Sequence, residues 1–104
     1  MSIDELKLPD NFINDINKAI RILKNEGCSE VFLFGSLAEF NFKAESDIDL
    51  AVKGLPPSKY FKVIGKLELE VDTSIDLIDL DEEQNNFVKI IKEKGGLVRV
   101  AWES

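Results

Sequence analysis

A chain of 104 residues has the ordinary size of one folding domain, and surface scaling predicts that it buries about two-thirds of its unfolded surface. We therefore expect a single domain over residues 1–104. The 20 Asp and Glu residues outnumber the 13 Lys and Arg residues, which gives a net charge of −7. This charge argues against unaided binding to DNA or RNA and favours a basic protein partner.

Cysteine and histidine usage excludes several kinds of site. Because Cys28 is the only cysteine, no intrachain disulfide can form, and we interpret it as a small buried apolar residue. With no histidine, His-based zinc sites and His-dependent nucleophilic triads are excluded. No apolar run is long enough to span a bilayer, and the first residues lack the basic and hydrophobic regions of a secretion signal, so we expect a cytoplasmic protein.

The first predicted element is a helix from Asp10 to Glu26, with Asp10 as its N-cap and Gly27 as its stop. Its apolar residues recur at steps of three and four: Ile13, Ile16, Ile20 and Leu23. Residues 30–35 form a continuous apolar run that is too short for a helix, so it predicts a central strand buried on both faces. Residues 36–46 are then a connection that begins with a helical turn.

The middle of the chain predicts a strand, a helix and a second strand. The first strand covers residues 47–53. Ser58 is the predicted cap of a helix that reaches about Glu70. The apolar stripe of this helix is Tyr60, Phe61, Ile64, Leu67 and Val71. Residues 74–80 alternate apolar and acidic side chains, which is typical of a strand.

The last part of the chain predicts one more helix and one more strand. Asp81 and Gln84 resemble a capping box at the start of a helix that ends at Gly95. Its predicted apolar face is Phe87, Ile90 and Ile91. Residues 97–102 form the final strand. The predicted fold is therefore a mixed β-sheet of about four strands with helices packed against it, in the α/β to α+β class.

Two aspartates open the second predicted strand. Asp47 and Asp49 are two positions apart, so they project from one face while Ile48, Leu50 and Val52 point to the core. Two like charges side by side require a cation. Carboxylate oxygens favour Mg²⁺, with Mn²⁺ as the alternative ion.

The turn Gly35-Ser36 supplies an anion-binding counterpart to these aspartates. Glycine permits close approach of a ligand, and the amides and hydroxyl that follow a strand can hold a phosphate. Asp76, on a later strand, offers a third carboxylate, whereas Asp79 lies on the opposite face and is interpreted as structural. Such a set suits nucleotidyl transfer, in which two metal ions roughly 3.5 to 4 Å apart activate the attacking hydroxyl and stabilise the leaving pyrophosphate.

In this order and spacing, Gly35-Ser36, Asp47-Ile48-Asp49 and Ile75-Asp76-Leu77 closely resemble the DNA polymerase β-like nucleotidyltransferase superfamily. The resemblance runs from about Glu30 to Trp102, and the chain is similar in size to the minimal, MNT-type members. It implies the polymerase β-like fold, ATP as substrate and two Mg²⁺ ions. The implied metal ligands and catalytic residues are Asp47, Asp49 and Asp76, and the implied nucleotide-binding residues include Gly35 and Ser36.

Minimal members of this superfamily are commonly antitoxins paired with a HEPN-type RNase toxin. The resemblance therefore implies transfer of AMP from ATP to a tyrosine of such a toxin. The alternative is a module with little or no activity that neutralises its partner by binding alone. Whether the assembly is a homo- or a hetero-oligomer stays open.

The sequence also departs from the pattern Gly-Ser-Arg-Ala-x-Gly that relatives often carry. Leu37 and Phe40 stand where those relatives have Arg and Gly. Lys43 is the candidate substitute for the missing guanidinium in phosphate binding. Phe40 and Phe42 either pack in the core or form an exposed partner-binding patch. Trp102 is interpreted as core or interface cover in preference to a base-stacking platform.

Overall fold

The computed structural model describes residues 6–102. Within this range the helices are α1 (Asp10–Asn25), α2 (Gly35–Ala38), α3 (Tyr60–Glu70) and α4 (Asn86–Lys94). The strands are β1 (Glu30–Phe34), β2 (Ile48–Lys53), β3 (Ile75–Asp79) and β4 (Val98–Trp102), and a 3₁₀ turn at Pro57–Lys59 precedes α3. The predicted order of elements is confirmed, and α2 is the helical turn expected after β1. No helix in residues 6–102 has the length and apolarity to cross a membrane.

The four strands form one mixed sheet in the order β3-β2-β1-β4. β1 runs antiparallel to both of its neighbours, whereas β2 and β3 are parallel. A parallel pair needs a crossover connection, and α3 provides it between β2 and β3. The predictions of a mixed four-stranded sheet and of a central β1 are both confirmed.

The main core lies between one face of the sheet and helices α1 and α3. From the sheet it receives five side chains with no exposed surface: Val31, Leu33, Ile48, Leu50 and Val52. From the two helices it receives mainly Phe12, Ile16, Ala19, Leu23, Val63 and Leu67. Each large apolar side chain buried in this way contributes about 1.5–3 kcal/mol relative to exposure. The core-facing register predicted for β2 is therefore confirmed.

The second face of the sheet is covered by α4 through a smaller cluster. Its buried members are Ala51, Leu80 and Val88, with Phe32, Phe34, Ile78 and Leu97 partly buried beside them. Because this cluster is small, β1 is fully buried on one face and only half-buried on the other. The prediction of complete burial on both faces is wrong in that respect. Strand alternation places Asp49 and Asp76 on this second face as well.

The first two predicted N-caps are wrong. Pro9 occupies the N-cap position of α1. Asp10 lies in the first turn, where its negative charge interacts favourably with the positive end of the helix dipole. Ser58 falls inside the 3₁₀ turn and caps nothing, since α3 begins at Tyr60 without a side-chain cap. In both cases a proline, Pro9 or Pro57, sets the entry into the helix because its φ is already helical.

The predicted capping box of α4 is also wrong. The N-cap is Asn85, whose Oδ1 accepts hydrogen bonds from the amides of Phe87 at 2.8 Å and Val88 at 3.3 Å. The Asp81 carboxylate instead accepts a hydrogen bond from the amide of Gly54 at 2.8 Å. Asp81 therefore secures the end of β2 and is not available to the helix.

The apolar faces of α3 and α4 are rotated from those predicted. Phe61 is 88% exposed, and Val63 takes its place in the core. On α4, Val88 and Ile91 are buried, while Phe87 and Ile90 stay about half exposed.

Cys28 is buried, as interpreted from the sequence. Its thiol lies within hydrogen-bonding distance of the carbonyls of Glu30 at 3.1 Å and Lys53 at 3.3 Å. Burial raises the pKa of this thiol, which keeps it protonated and unreactive.

Candidate active site

Two of the predicted acidic residues meet on neighbouring strands. The parallel register of β2 and β3 places Asp49 directly opposite Asp76. The pKa of Asp49 is raised from 3.8 to about 6, first by burial, then by the negative charges of Asp76 and Asp47 and by a hydrogen bond with Asp76. Asp76 itself is exposed. The sheet thus holds together two carboxyl groups that repel one another when both are ionised.

Gly35 closes this site from the end of β1. Its φ of 72° is left-handed, and a Cβ added there would collide with the Asp49 carboxylate, 3.1 Å from its Cγ. β1 ends at Phe34, which is the register partner of Asp49, so the turn begins beside the carboxylate. Glycine is therefore required at position 35 both by the backbone and by the contact with Asp49.

Asp47 lies just outside β2 and not within it, because the strand begins at Ile48. It is exposed and lines a cavity of about 250 Å³ with Asp72, Thr73 and Ser74. In residues 6–102, no group of three or more His, Cys, Asp or Glu side chains converges as a metal site. The donor chemistry of the aspartates still fits Mg²⁺, since they are hard oxygen ligands whose mutual repulsion a cation would relieve.

The two remaining predicted residues, Ser36 and Lys43, lie in different turns. Ser36 follows Gly35 in the first turn of α2, and its carbonyl accepts the amide of Asn41 at 2.9 Å. The first amides of such a turn have no acceptor within the helix and point towards any bound anion. Lys43 lies in an exposed turn closed by Ser46, whose Oγ accepts the Lys43 amide at 2.7 Å. The ammonium group of Lys43 makes no ion pair with residues 6–102.

Sequence comparison identifies the family to which these strands and turns belong. The profile of the polymerase beta nucleotidyltransferase family matches residues 17–100, which include the Gly35 turn and all three aspartates. The chain belongs to this family. No curated protein matches the sequence.

Solved structures of toxin–antitoxin complexes contain chains with the same fold as this nucleotidyltransferase. A chain of a toxin–antitoxin complex with AMP-PNP matches with a TM-score of 0.67 and 25% identity, over 88% of this chain and 75% of that chain. A tri-AMPylated HEPN toxin from Shewanella oneidensis in complex with MNT antitoxin gives 0.61 and 23%, over 89% and 73%. An MntA–HepT complex gives 0.60 and 23%, over 86% and 72%. The polymerase β-like fold and the MNT-type resemblance are confirmed.

Sequence reasoning missed Asp15, a buried acidic residue behind the site of this nucleotidyltransferase. Its Oδ2 accepts hydrogen bonds from the amide of Thr73 at 3.0 Å and from the Thr73 hydroxyl at 2.6 Å. The next residue, Ser74, accepts the amide of Ile48 at 2.9 Å. Asp15 therefore holds the segment that leads β3 alongside β2. Asp15 could have been recognised as buried from its position three residues after Phe12, on the buried face of α1.

The two positions that depart from the family pattern have different environments. Leu37 is 1% exposed and belongs to the main core. Phe40 is 55% exposed and has a φ of 55°, which is left-handed and unusual for any residue but glycine. Phe40 is therefore an aromatic residue in a strained backbone conformation.

The remaining aromatic residues differ in how deeply they are buried. Phe42 is partly buried and packs edge-to-face on Phe12 with ring centroids 5.6 Å apart, so it is a core residue. Phe40 is exposed. Trp102 is 39% exposed and lies against the Arg99 guanidinium, 4.8 Å from the ring centroid.

Asp79 accepts the amide of Asp81 at 2.9 Å, consistent with a structural role on the opposite face.

Proposed function

We propose that this chain transfers AMP from ATP to a tyrosine hydroxyl of a HEPN-type toxin, and thereby acts as its antitoxin. The observation that carries the proposal is the register pairing of Asp49 with Asp76 beside the Gly35 turn. Support also comes from the relatives of similar fold, one of which is in a complex with AMP-PNP and another in a complex with a tri-AMPylated toxin. Membership of a nucleotidyltransferase family supports the reaction class.

Each side chain has a defined part in the proposed reaction. Asp47 and Asp49 would hold Mg²⁺. The amide of Gly35 and the hydroxyl of Ser36 bind the β- and γ-phosphates. Mg²⁺ held there would lower the pKa of the acceptor hydroxyl and would stabilise charge on the leaving group. Asp76 orients the acceptor hydroxyl and accepts its proton.

The bonds balance as in other nucleotidyl transfers. The acceptor oxygen forms a bond to the α-phosphorus of ATP. The bond between that phosphorus and the bridging oxygen breaks, and pyrophosphate leaves with the electron pair. The hydroxyl proton passes to Asp76, whose carboxylate is exposed to solvent and can release it.

A second candidate function is neutralisation of the toxin by binding alone. Leu37 favours it, because this position is buried in the core and offers no guanidinium to the triphosphate. Lys43 is the proposed replacement, and its exposed side chain must reach the phosphates from the 43–46 turn. The two functions differ in whether the toxin carries added mass after exposure to MgATP.

The test is incubation of the chain with MgATP and a HEPN-type toxin, followed by mass spectrometry of that toxin. We expect mass additions that correspond to AMP, located on tyrosine. Asp76→Asn should abolish them, while Asp79→Asn, on the same strand but the opposite face, should not. An unmodified toxin that is nonetheless inhibited would establish binding alone, and transfer retained in Asp76→Asn would place the site elsewhere.

A further inference from the structure

A cavity of about 360 Å³ lies between α3 and β3, and no residue of β2 lines it. β3 is an edge strand, since no strand of residues 6–102 lies beyond it. The apolar wall of the cavity consists of Ile64 and Leu67 from the helix and Ile75 and Leu77 from the strand. Asp76 also lines the cavity, although strand alternation turns its side chain to the other face. The cavity therefore lies across the free edge of β3, beside the carboxyl group that is proposed to accept the proton.

The order of the reacting groups across the sheet gives this cavity a role. The Gly35 turn lies at the end of β1, Asp49 lies on β2 and Asp76 on β3, and these three strands are neighbours in that order. In nucleotidyl transfer the attacking and leaving oxygens lie roughly in line, on opposite sides of the phosphorus. If pyrophosphate leaves towards the Gly35 turn, the acceptor hydroxyl must approach from the β3 side. The cavity lies on that side.

The size and charge of the cavity fit an uncharged side chain better than a nucleotide. Binding sites for small molecules usually have volumes of about 300 to 1,000 Å³, so this cavity is at the small end of the range. Three exposed carboxylates, Glu68, Asp72 and Asp76, are among its lining residues, and none of them forms an ion pair within residues 6–102. This acidic rim repels a triphosphate and attracts basic groups.

We propose that the cavity binds the acceptor side chain, a tyrosine that the partner presents beside basic residues. Its phenol ring packs on Ile64, Leu67 and Ile75, and its hydroxyl points to Asp76. The acidic rim contacts Lys or Arg residues that flank the tyrosine. The inference rests on the proposed function and deepens it, because it assigns the acceptor site and makes Ile64 and Ile75 residues that determine acceptor specificity.

The first test fills the cavity with a larger side chain. Ile64→Trp and Ile75→Trp each place an indole in it, one from the helix and one from the strand. Each should lower kcat/KM for AMP transfer to a HEPN-type toxin roughly tenfold or more, mainly through a higher KM for the toxin. The Kd of MgATP, measured by calorimetry, should stay within about twofold of wild type, because the nucleotide lies on the other side of Asp76. Leu69→Trp, at an 88% exposed position of the same helix outside the cavity, is the matched control and should transfer AMP as wild type does.

The second test reverses the charge of the rim. Glu68→Lys should raise the KM for the toxin several-fold at low salt, and the difference from wild type should shrink as added salt screens the charges. Its kcat should not change, because Glu68 does not contact the reacting atoms. Glu70→Lys makes the same change at an exposed residue that does not line the cavity, and it should have a smaller effect on KM.

A third measurement leaves the chain unaltered. A toxin that carries the photoreactive residue p-benzoylphenylalanine in place of its acceptor tyrosine should crosslink to residues 64–77 of the wild-type chain, which contain the lining of the cavity. Mass spectrometry locates the crosslink. Melting curves verify that each variant of the first two tests is folded, and the crosslink decides the matter if both tryptophan variants unfold.

The possible results separate this inference from the proposed function. Tryptophan variants that modify the toxin with the KM of wild type would overturn the acceptor site and leave AMP transfer standing, and so would a crosslink confined to other parts of the chain. Loss of MgATP binding in folded tryptophan variants would assign the cavity to the nucleotide and would overturn the inference as well. A wild-type chain that modifies no HEPN-type toxin would overturn both.

Discussion

Replacing Asp49 with Asn should make the metal-free protein more stable at neutral pH, because the site holds a carboxylate where it is unfavourable. Burial and two neighbouring aspartates raise the Asp49 pKa from 3.8 to about 6. At about 1.36 kcal/mol for each pKa unit, the ionised group costs the folded state at most about 3 kcal/mol. Since the side chain is only half-buried, screening reduces this to about 1–2 kcal/mol.

The dependence on pH has a defined sign. The folded-state pKa of Asp49 lies above the unfolded value, so protonation favours the folded protein. The penalty is complete above about pH 6, shrinks as the pH falls through that value, and is absent below 3.8. The gain in stability of Asp49→Asn over wild type should therefore be largest at pH 7.5 and smallest near pH 4.

The measurement is thermal unfolding of both proteins in EDTA, repeated with MgATP. At neutral pH without metal we expect Asp49→Asn to melt about 4–8 °C higher for each kcal/mol gained. MgATP at about 100 times its dissociation constant should stabilise wild type by about 2.7 kcal/mol and the variant by little. A variant that melts below wild type in EDTA, or that MgATP stabilises equally, would show that Asp49 is structural and that the site is misplaced.

Five further substitutions separate strain, contact and packing. Gly35→Ala should lower the free energy of unfolding by about 1–3 kcal/mol in urea titrations, because its φ is 72° and its Cβ would meet a carboxylate; Gly65→Ala, which adds a Cβ in open space, should lower nothing. Phe40→Gly should raise stability by about 1 kcal/mol as its left-handed backbone relaxes, whereas Phe42→Ala should lose about 3 kcal/mol of core packing. Asp15→Ala should cost about 2–3 kcal/mol, because two buried donors lose their acceptor, and an unchanged urea midpoint would contradict that.

The strands and the acidic pattern could be predicted from the sequence because both depend on local order. The apolar run of β1 ends at a glycine, and the segment Asp47-Ile48-Asp49-Leu50 alternates between aspartates and core residues, so period two alone fixes which side chains share a face. The pairing of Asp49 with Asp76 could not be derived in this way. It depends on the parallel register of two strands separated by a helix, which no local pattern specifies.

Two of the misses concern polar side chains whose partners are distant in sequence. Asp81 looked like a helix cap, yet it binds the amide of Gly54, 27 residues away. Asp15 lies 58 residues from Thr73, to which it is hydrogen-bonded. The prediction of which face of α3 is buried failed for a related reason. Sequence alone does not show that Phe61 is exposed and Val63 buried, because this depends on how the helix lies on the sheet.

At position 37 this chain has a buried leucine where the family pattern has an arginine. Replacing Leu37 tests whether an arginine there would bind phosphate at the expense of core packing. The buried leucine contributes about 1.5–3 kcal/mol, an amount similar to the cost of an ionised Asp49. Leu37→Arg should lower the free energy of unfolding by about 2–4 kcal/mol, because the guanidinium must leave the core and a cavity remains. If the Gly35 turn binds the triphosphate, the same change should tighten binding of MgATP, measured by calorimetry below the melting range. Leu37→Ala creates the cavity without the charge and should bind MgATP no better than wild type. Equal ATP affinity in the Leu37→Arg and Leu37→Ala variants would therefore show that the Gly35 turn does not bind the phosphates.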